Sequence, residues 1–199
     1  MKRLKMFQPA LLLTAICLVV TLLLAATNEL TKAPIAKQEE EAALAQKQEI
    51  FPDGKSFTNI ILTDEQIASM VKQDIDVKEI STASDADGKA LGYVFIAASR
   101  GYAGDVVTAA GIDTEGHIIM VSAKAADDTP GLGKRVEEKA FLGQFTGMDT
   151  TTRTSVNGDS GLQHIDGVSG ATISSKAASS AINKVIGAYA YLQEEGVIS

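Results

Sequence analysis

Tryptophan is absent from the 199-residue chain, cysteine occurs once and histidine twice. A single cysteine excludes an intrachain disulfide framework and a cysteine-ligated metal cluster. Two histidines leave little material for a histidine metal site. Basic residues are in deficit: 18 Lys and Arg against 25 Asp and Glu give a net charge of −7. That argues against a nucleic-acid binder, which needs a basic face to replace phosphate counterions. Glycine is missing from the start of the chain, and all 17 glycines fall at Gly54 or later. No charged residue lies between Met6 and Asn28. What is present, 45% hydrophobic and 22% charged residues, is the composition of a folded protein. The length suits one ordinary domain with an accessory segment.

The accessory segment comes first. Residues 6–28 would span roughly 34 Å as a helix, enough for a hydrocarbon core of about 30 Å. Lys2, Arg3 and Lys5 precede the run, which would keep residues 1–5 in the cytoplasm and the body of the protein on the other side. A cleaved signal peptide, with Leu11–Leu24 as its apolar core, is the competing reading. Against it, no A-x-A triplet closes the run, and Leu22–Leu24 carry the apolarity almost to its end. Cys17, mid-span, reads as a small apolar residue. Without the three leading cations the chain has 15 basic and 25 acidic residues, a net −10. Such an acidic body suits a soluble domain standing off an anionic lipid surface. Residues 29–50, with Glu39-Glu40-Glu41-Ala42-Ala43-Leu44-Ala45, read as a helical stalk with a solvated acidic face. Turn-rich structure begins at Phe51-Pro52-Asp53-Gly54, so the globular domain is expected over residues 51–199.

That domain reads as α+β. A short helix is expected over Thr63–Gln73, with Thr63 or Asp64 as N-cap. Strands are expected near Val77–Thr82, Leu91–Ala98, Val106–Ile112 and His117–Lys124. Turn chemistry separates them at Asp85–Gly88, Arg100–Gly104 and Asp113–Gly116. Such short connections favour antiparallel neighbours, because a parallel crossover needs about a dozen residues or more. Lys134–Phe145 reads as a helix with Val136, Ala140, Phe141 and Phe145 in one apolar stripe. A last helix is marked by Ile173, Ala177, Ala181, Val185, Tyr189 and Leu192, with Gly196 at its end.

Two loops enter helices. Ser169-Gly170-Ala171-Thr172 precedes the last one. A helix start offers unpaired N–H groups and roughly half a positive charge, and small residues let an anion approach them. Taken by itself, the tetrapeptide is more simply read as an ordinary helix cap. Nothing adjacent in sequence would activate Thr172 as a catalytic nucleophile of its own. Thr129-Pro130-Gly131-Leu132-Gly133 enters the other helix, as a ligand loop or as a rigid turn. Tyr102 is a candidate for stacking on a planar ligand, or a plain surface or core tyrosine. His117 reads as a solvent-facing residue, and His164 as a structural one that Asp166 is placed to orient.

Asp166-Gly167-Val168-Ser169-Gly170-Ala171-Thr172-Ile173-Ser174 resembles the flavinylation motif of covalent FMN-binding domains. Thr129–Gly133 and Gly101-Tyr102-Ala103-Gly104-Asp105 match two further segments of that family. The order of anchor, stalk, Phe51-Pro52, meander and the two loops is similar to the G subunit of Rnf electron-transport complexes, over nearly the whole chain. The C subunit of the sodium-pumping quinone oxidoreductase is a longer, less similar relative. Asp128 stands where glutamate would be expected, with the charge kept.

The resemblance implies a single N-terminal transmembrane helix, then an antiparallel-sheet FMN-binding domain with a C-terminal helix. It implies FMN linked by a phosphodiester to Thr172, with Ser169, Gly170 and Ala171 beside the phosphate. Thr129, Pro130, Gly131, Leu132 and Gly133 would lie against the flavin or its ribityl chain. Asp166 and Ser174 would belong to the motif read by a separate FMN transferase that needs a divalent metal. The partners implied are membrane lipid and the other membrane subunits of an Rnf-type ferredoxin/NAD oxidoreductase that moves Na⁺ or H⁺. The chain would be an electron-transfer subunit rather than an enzyme alone, with its domain on the extracytoplasmic side. Two readings stay beside it: an FMN-carrying donor for another extracytoplasmic reductase, and an anchored binding module without flavin.

Overall fold

A computed structural model describes the backbone of residues 2–198, and within it the side chains of all but 2–10, 33, 35–40 and 42. The expectations on Lys2, Arg3 and Lys5, on the first residues of the anchor, and on Glu39 and Glu40 of the stalk concern side chains outside the described residues. The chain divides after Ala45 into two compact units.

Anchor and stalk form one helix, α1 (Lys2–Ile50). Within it, Leu11–Lys32 is long and apolar enough to cross a membrane. Its threonine hydroxyls donate to the carbonyl four residues back, Thr21 to Cys17, Thr27 to Leu23 and Thr31 to Thr27, at 2.8–2.9 Å. A polar group satisfied within its own helix no longer needs water. The second unit begins before Phe51. Gln46 Nε2 donates to Ser122 Oγ at 3.0 Å, Lys47 pairs with Glu79, and Ile50 and Phe51 are buried.

The sheet is a five-stranded antiparallel meander in the order β1-β2-β3-β4-β5: β1 (Ser56–Asn59), β2 (Val77–Ser84), β3 (Ala90–Arg100), β4 (Asp105–Asp113) and β5 (Ile118–Lys124). The four expected strands are present within a residue or two at most ends, and β1 is an addition. Four residues with one partly buried side chain carry too short an alternation to be read. His117 falls outside β5 and forms an isolated bridge with Asp149. Helix α2 (Asp64–Lys72) starts as expected, with a capping box in which Thr63 accepts from Gln66 N–H and the Gln66 side chain accepts from Thr63 N–H.

Both faces of the sheet are covered. On one, Tyr93, Phe95, Ala110, Ile112 and Val121 pack with Ala177, Ala181, Ile182, Val185, Tyr189 and Leu192 of α4 (Thr172–Glu194). Fully burying each of Ile182, Val185 and Leu192 contributes about 1.5–3 kcal/mol relative to exposure. On the other face Ile50 and Phe51 meet Ala83, Val94, Ile96 and Ala109. Gly111 in β4 makes this approach possible: a Cβ there would stand 2.2 Å from Ile50 Cγ2.

Two expectations fail. Lys134–Phe145 is not one helix but a 3₁₀ turn (Gly133–Glu137), a single α turn α3 (Lys139–Leu142) and a second 3₁₀ turn (Gly143–Phe145). Glu138 interrupts it in extended conformation, φ −73° and ψ 142°. The preceding Glu137 carboxylate accepts Ala125 N–H at 2.8 Å, tying this segment to the end of β5. Val136, Phe141 and Phe145 are buried as read, whereas Ala140 is exposed. Ile173, read as the first core residue of α4, is 52% exposed. A short parallel pair, β6 (Thr154–Ser155) and β7 (Gln163–His164), leads Ile165 into the core and sets the approach to α4.

Tyr189 lies at the centre, with ring centroids 6.4 Å from Tyr93 and 6.2 Å from Phe95. Burial first, then Tyr93 and Asp113, raise its phenol above the ordinary 10.0. A proton held more tightly in the folded state stabilises it fully below the unfolded pKa. That contribution is lost as pH rises through the folded value. Urea unfolding at roughly pH 8 and pH 11 will show this alkaline loss, and Tyr189→Phe will reduce it.

Candidate functional site

Two similar turns build the site. In the first, Leu132 N–H donates to Thr129 O at 3.2 Å, with Pro130 second and Gly131 third at φ +77°. This is the residue pattern of a type II turn. In the second, Ala171 N–H donates to Val168 O at 2.9 Å, with Gly170 third at φ +78°. A Cβ on Gly170 would stand 3.3 Å from Leu132 Cδ2, so the two turns touch. Ser175, fully buried, braces the second turn: its hydroxyl accepts Val168 N–H at 2.9 Å and donates to Ala171 O at 3.0 Å.

The third component is the β3–β4 hairpin tip, closed by Gly101 N–H to Gly104 O at 2.8 Å. Asp128 joins all three. It is 4% exposed; Oδ1 accepts Ala103 N–H of the hairpin at 3.0 Å and Oδ2 accepts the Ser174 hydroxyl of α4 at 2.5 Å. Gly133 leaves room for this carboxylate, since a Cβ there would lie 2.4 Å from Oδ2.

Between these segments lies a cleft of about 530 Å³, within the usual range of small-molecule sites. Tyr102 lines it from the hairpin; Asp128, Thr129, Leu132 and Gly133 from the first turn; residues 170–174 from the second turn and the start of α4. Thr172 is the first residue of α4 and is exposed. The helix begins at Ala171 (φ −131°, ψ 37°) and, among the described residues, no side chain caps it. Its first N–H groups have no acceptor within the helix, and Thr172, Ile173 and Ser174, which carry them, line the cleft.

Most of the residues singled out from sequence meet here: Thr129, Leu132, Gly133, Gly170, Ala171, Thr172, Ser174 and Tyr102. Pro130, Gly131 and Ser169 are exposed on the two turns and do not line the cleft. Asp166 stands apart on the surface. Its Oδ1 lies 3.2 Å from His164 Nε2, and its backbone is held by the Gln144 amide at 2.8 and 3.1 Å. Ser174, by contrast, is 1% exposed. Sequence reading missed the roles of Asp128, Ile173 and Ser175. The clue to Asp128 was an acidic residue entering a turn that ends, five residues later, in a glycine.

A phosphate-bearing planar cofactor fits this set of residues. The uncapped helix start favours an anion. Gly170 and Ala171 offer small surfaces beside it, and the exposed side chains of Tyr102, Leu132 and Ile173 offer apolar area at the mouth. Residues 101–187 match the FMN-binding domain family, so fold and site define a protein with an FMN-binding domain on a sheet-and-helix scaffold. Residues 1–50 match the RnfG N-terminal region. With these two matches in this order, the chain resembles the RnfG family.

It is 29% identical, over 94% of its length and 93% of the relative, to the G subunit of the Na⁺-translocating ferredoxin:NAD⁺ oxidoreductase complex of Acetobacterium woodii. It is 31% identical to the G subunit of the proton-translocating ferredoxin:NAD⁺ oxidoreductase complex of Clostridium ljungdahlii, over 52% of this chain and 56% of that one. The C subunit of the Na⁺-translocating NADH-quinone reductase of Parabacteroides distasonis has a similar fold, with TM-score 0.51 and 21% identity, covering 70% of this chain and 78% of that one.

Proposed function

We propose that the chain is the flavin-bearing, membrane-anchored G subunit of an Rnf-type ion-translocating complex, with FMN esterified to Thr172 through a phosphodiester. One observation carries the reading. The only hydroxyl on the 170–172 stretch stands exposed at an uncapped helix start, in a cleft assembled from all three motif segments. When bound, the flavin supplies reversible electron uptake and release, while the protein supplies position, solvent exclusion and local charge.

In this reading the Thr172 Oγ1 would form a bond to the flavin-side phosphorus of a flavin dinucleotide bound by the FMN transferase, and the pyrophosphate P–O bond would break. The nucleoside monophosphate would leave, and a base of the transferase would take the hydroxyl proton. Gly170, Ala171 and the first N–H groups of α4 hold the phosphate. Leu132, Ile173 and Tyr102 cover the apolar ring system. Asp166, exposed on the approach to the motif, is read by the FMN transferase. Electrons arrive from one partner subunit and leave to another, serving the ferredoxin and NAD couples of the complex, whose other membrane subunits hold the route for Na⁺ or H⁺. The Leu11–Lys32 stretch anchors the chain, with Lys2, Arg3 and Lys5 on the cytoplasmic side and the flavin domain outside. A covalent bond suits that location, because a dissociable FMN lost outside the cell has no local supply to replace it.

Coexpression with an FMN transferase, followed by a denaturing gel viewed under ultraviolet light, tests the reading. A fluorescent band migrating with the chain is expected; a dark band would contradict covalent attachment.

A further inference from the structure

We propose that Asp128 is the positioning residue of the site, holding the first turn of α4 in the orientation from which Thr172 offers its hydroxyl. This rests on the reading of Thr172 as the flavin attachment point. From Ala177 onward α4 is fixed by core packing. Its first turn is not: Thr172 and Ile173 point out, and the remaining inward residues there, Ser174 and Ser175, are polar. Ser175 bonds only to its own turn. The Ser174–Asp128 bond therefore ties this turn to the opposite wall of the cleft.

Asp128 is itself held from the far side by Ala103 N–H, and Gly133 gives it space. The carboxylate thus sets the separation of hairpin, loop and helix start together. Because Ser174 is 1% exposed, an attaching enzyme cannot touch its hydroxyl. Ser174 acts on the reaction from within, through Asp128.

The substitution series follows from hydrogen-bond chemistry. Asp128→Asn retains both links, since its Oδ1 still accepts Ala103 N–H and its Nδ2 donates to a rotated Ser174 hydroxyl. Asp128→Ala and Ser174→Ala each remove the tether to α4. Initial rates of FMN incorporation into the full chain, followed by intact mass with an FMN transferase, are measured well below the melting transition. Folded fraction is checked by circular dichroism.

Ser174→Ala and Asp128→Ala are expected to lower the transferase kcat at least about tenfold with KM unchanged, the effect of a misplaced reacting atom. Asp128→Asn is expected to stay within about twofold of the parent chain, because its geometry is retained. If Asp128→Ala fails to fold, Ser174→Ala and Asp128→Asn still decide the question. Parent-chain uptake with equal uptake by Ser174→Ala overturns the proposal, as does a loss that only tracks the unfolded fraction. A parent chain that takes up no FMN refutes the Thr172 reading, and this proposal with it.

Discussion

A Thr172→Ala chain will acquire no covalent flavin under conditions in which the parent chain becomes fluorescent. The loss is expected to be complete, because it removes the one atom through which the bond forms. The fold should be untouched. None of the described hydrogen bonds involves the Thr172 side chain, its surface is exposed, and alanine is a good helix former. Stability should therefore change by no more than about 0.5 kcal/mol. Thr172→Ser keeps the hydroxyl at the same helix position and is expected to remain fluorescent. Gel fluorescence and thermal melts of the three chains separate a chemical loss from a structural one. A fluorescent Thr172→Ala chain would place the flavin elsewhere.

The second large effect concerns two glycines ten positions apart. In Gly133→Ala the new methyl would stand 2.4–2.7 Å from the Oδ2, Cγ and Cβ atoms of Asp128. The carboxylate must move, and its bonds to Ala103 N–H and the Ser174 hydroxyl break with it. A buried polar group left without its partner costs about 1–3 kcal/mol, so a lower melting temperature and slowed FMN incorporation are expected together. In Gly143→Ala nothing lies within 4 Å of the new methyl, and the backbone is already right-handed helical, φ −62° and ψ −19°. The same chemical change there should be neutral, or stabilising by up to about 1 kcal/mol through the unfolded chain's lost freedom. Equal behaviour of the two variants would show that Asp128 is not confined as described.

The parts of the fold carried by periodicity and turn chemistry were legible. The central meander strands are short apolar runs, such as Tyr93-Val94-Phe95-Ile96, between Asp- and Gly-bearing turns, and α4 repeats its apolar residues every three or four positions from Ala177 to Leu192. Where pattern and packing diverge, the reading slipped. Val136, Phe141 and Phe145 keep a helical spacing and are all buried, yet the Glu137 side chain bonds Ala125 and the chain at Glu138 is extended. A tertiary bond there outweighs local propensity. Ile173 satisfies the α4 stripe but lies above the last core layer, and so turns into the cleft. β1 and the β6–β7 pair are too short to leave a pattern.

The site was legible as three segments but not as one place. Gly101–Asp105, Thr129–Gly133 and Ser169–Thr172 each carry turn residues that mark them. What unites them is a contact between Asp128 and Ser174, 46 positions apart. No local spacing encodes such a contact. Taken alone in sequence, Ser169–Thr172 favours an ordinary cap; the backbone places the cap at Ala171, which has no hydroxyl to bond the helix start.

The most direct measurement is the mass of the tryptic peptide 154–176, bounded by Arg153 and Lys176, from a chain matured with an FMN transferase. The peptide should be heavier by one FMN less one water, and fragmentation should leave the added mass on Thr172. A peptide of unmodified mass, or an adduct confined to Ser169 or Ser174, would contradict the account.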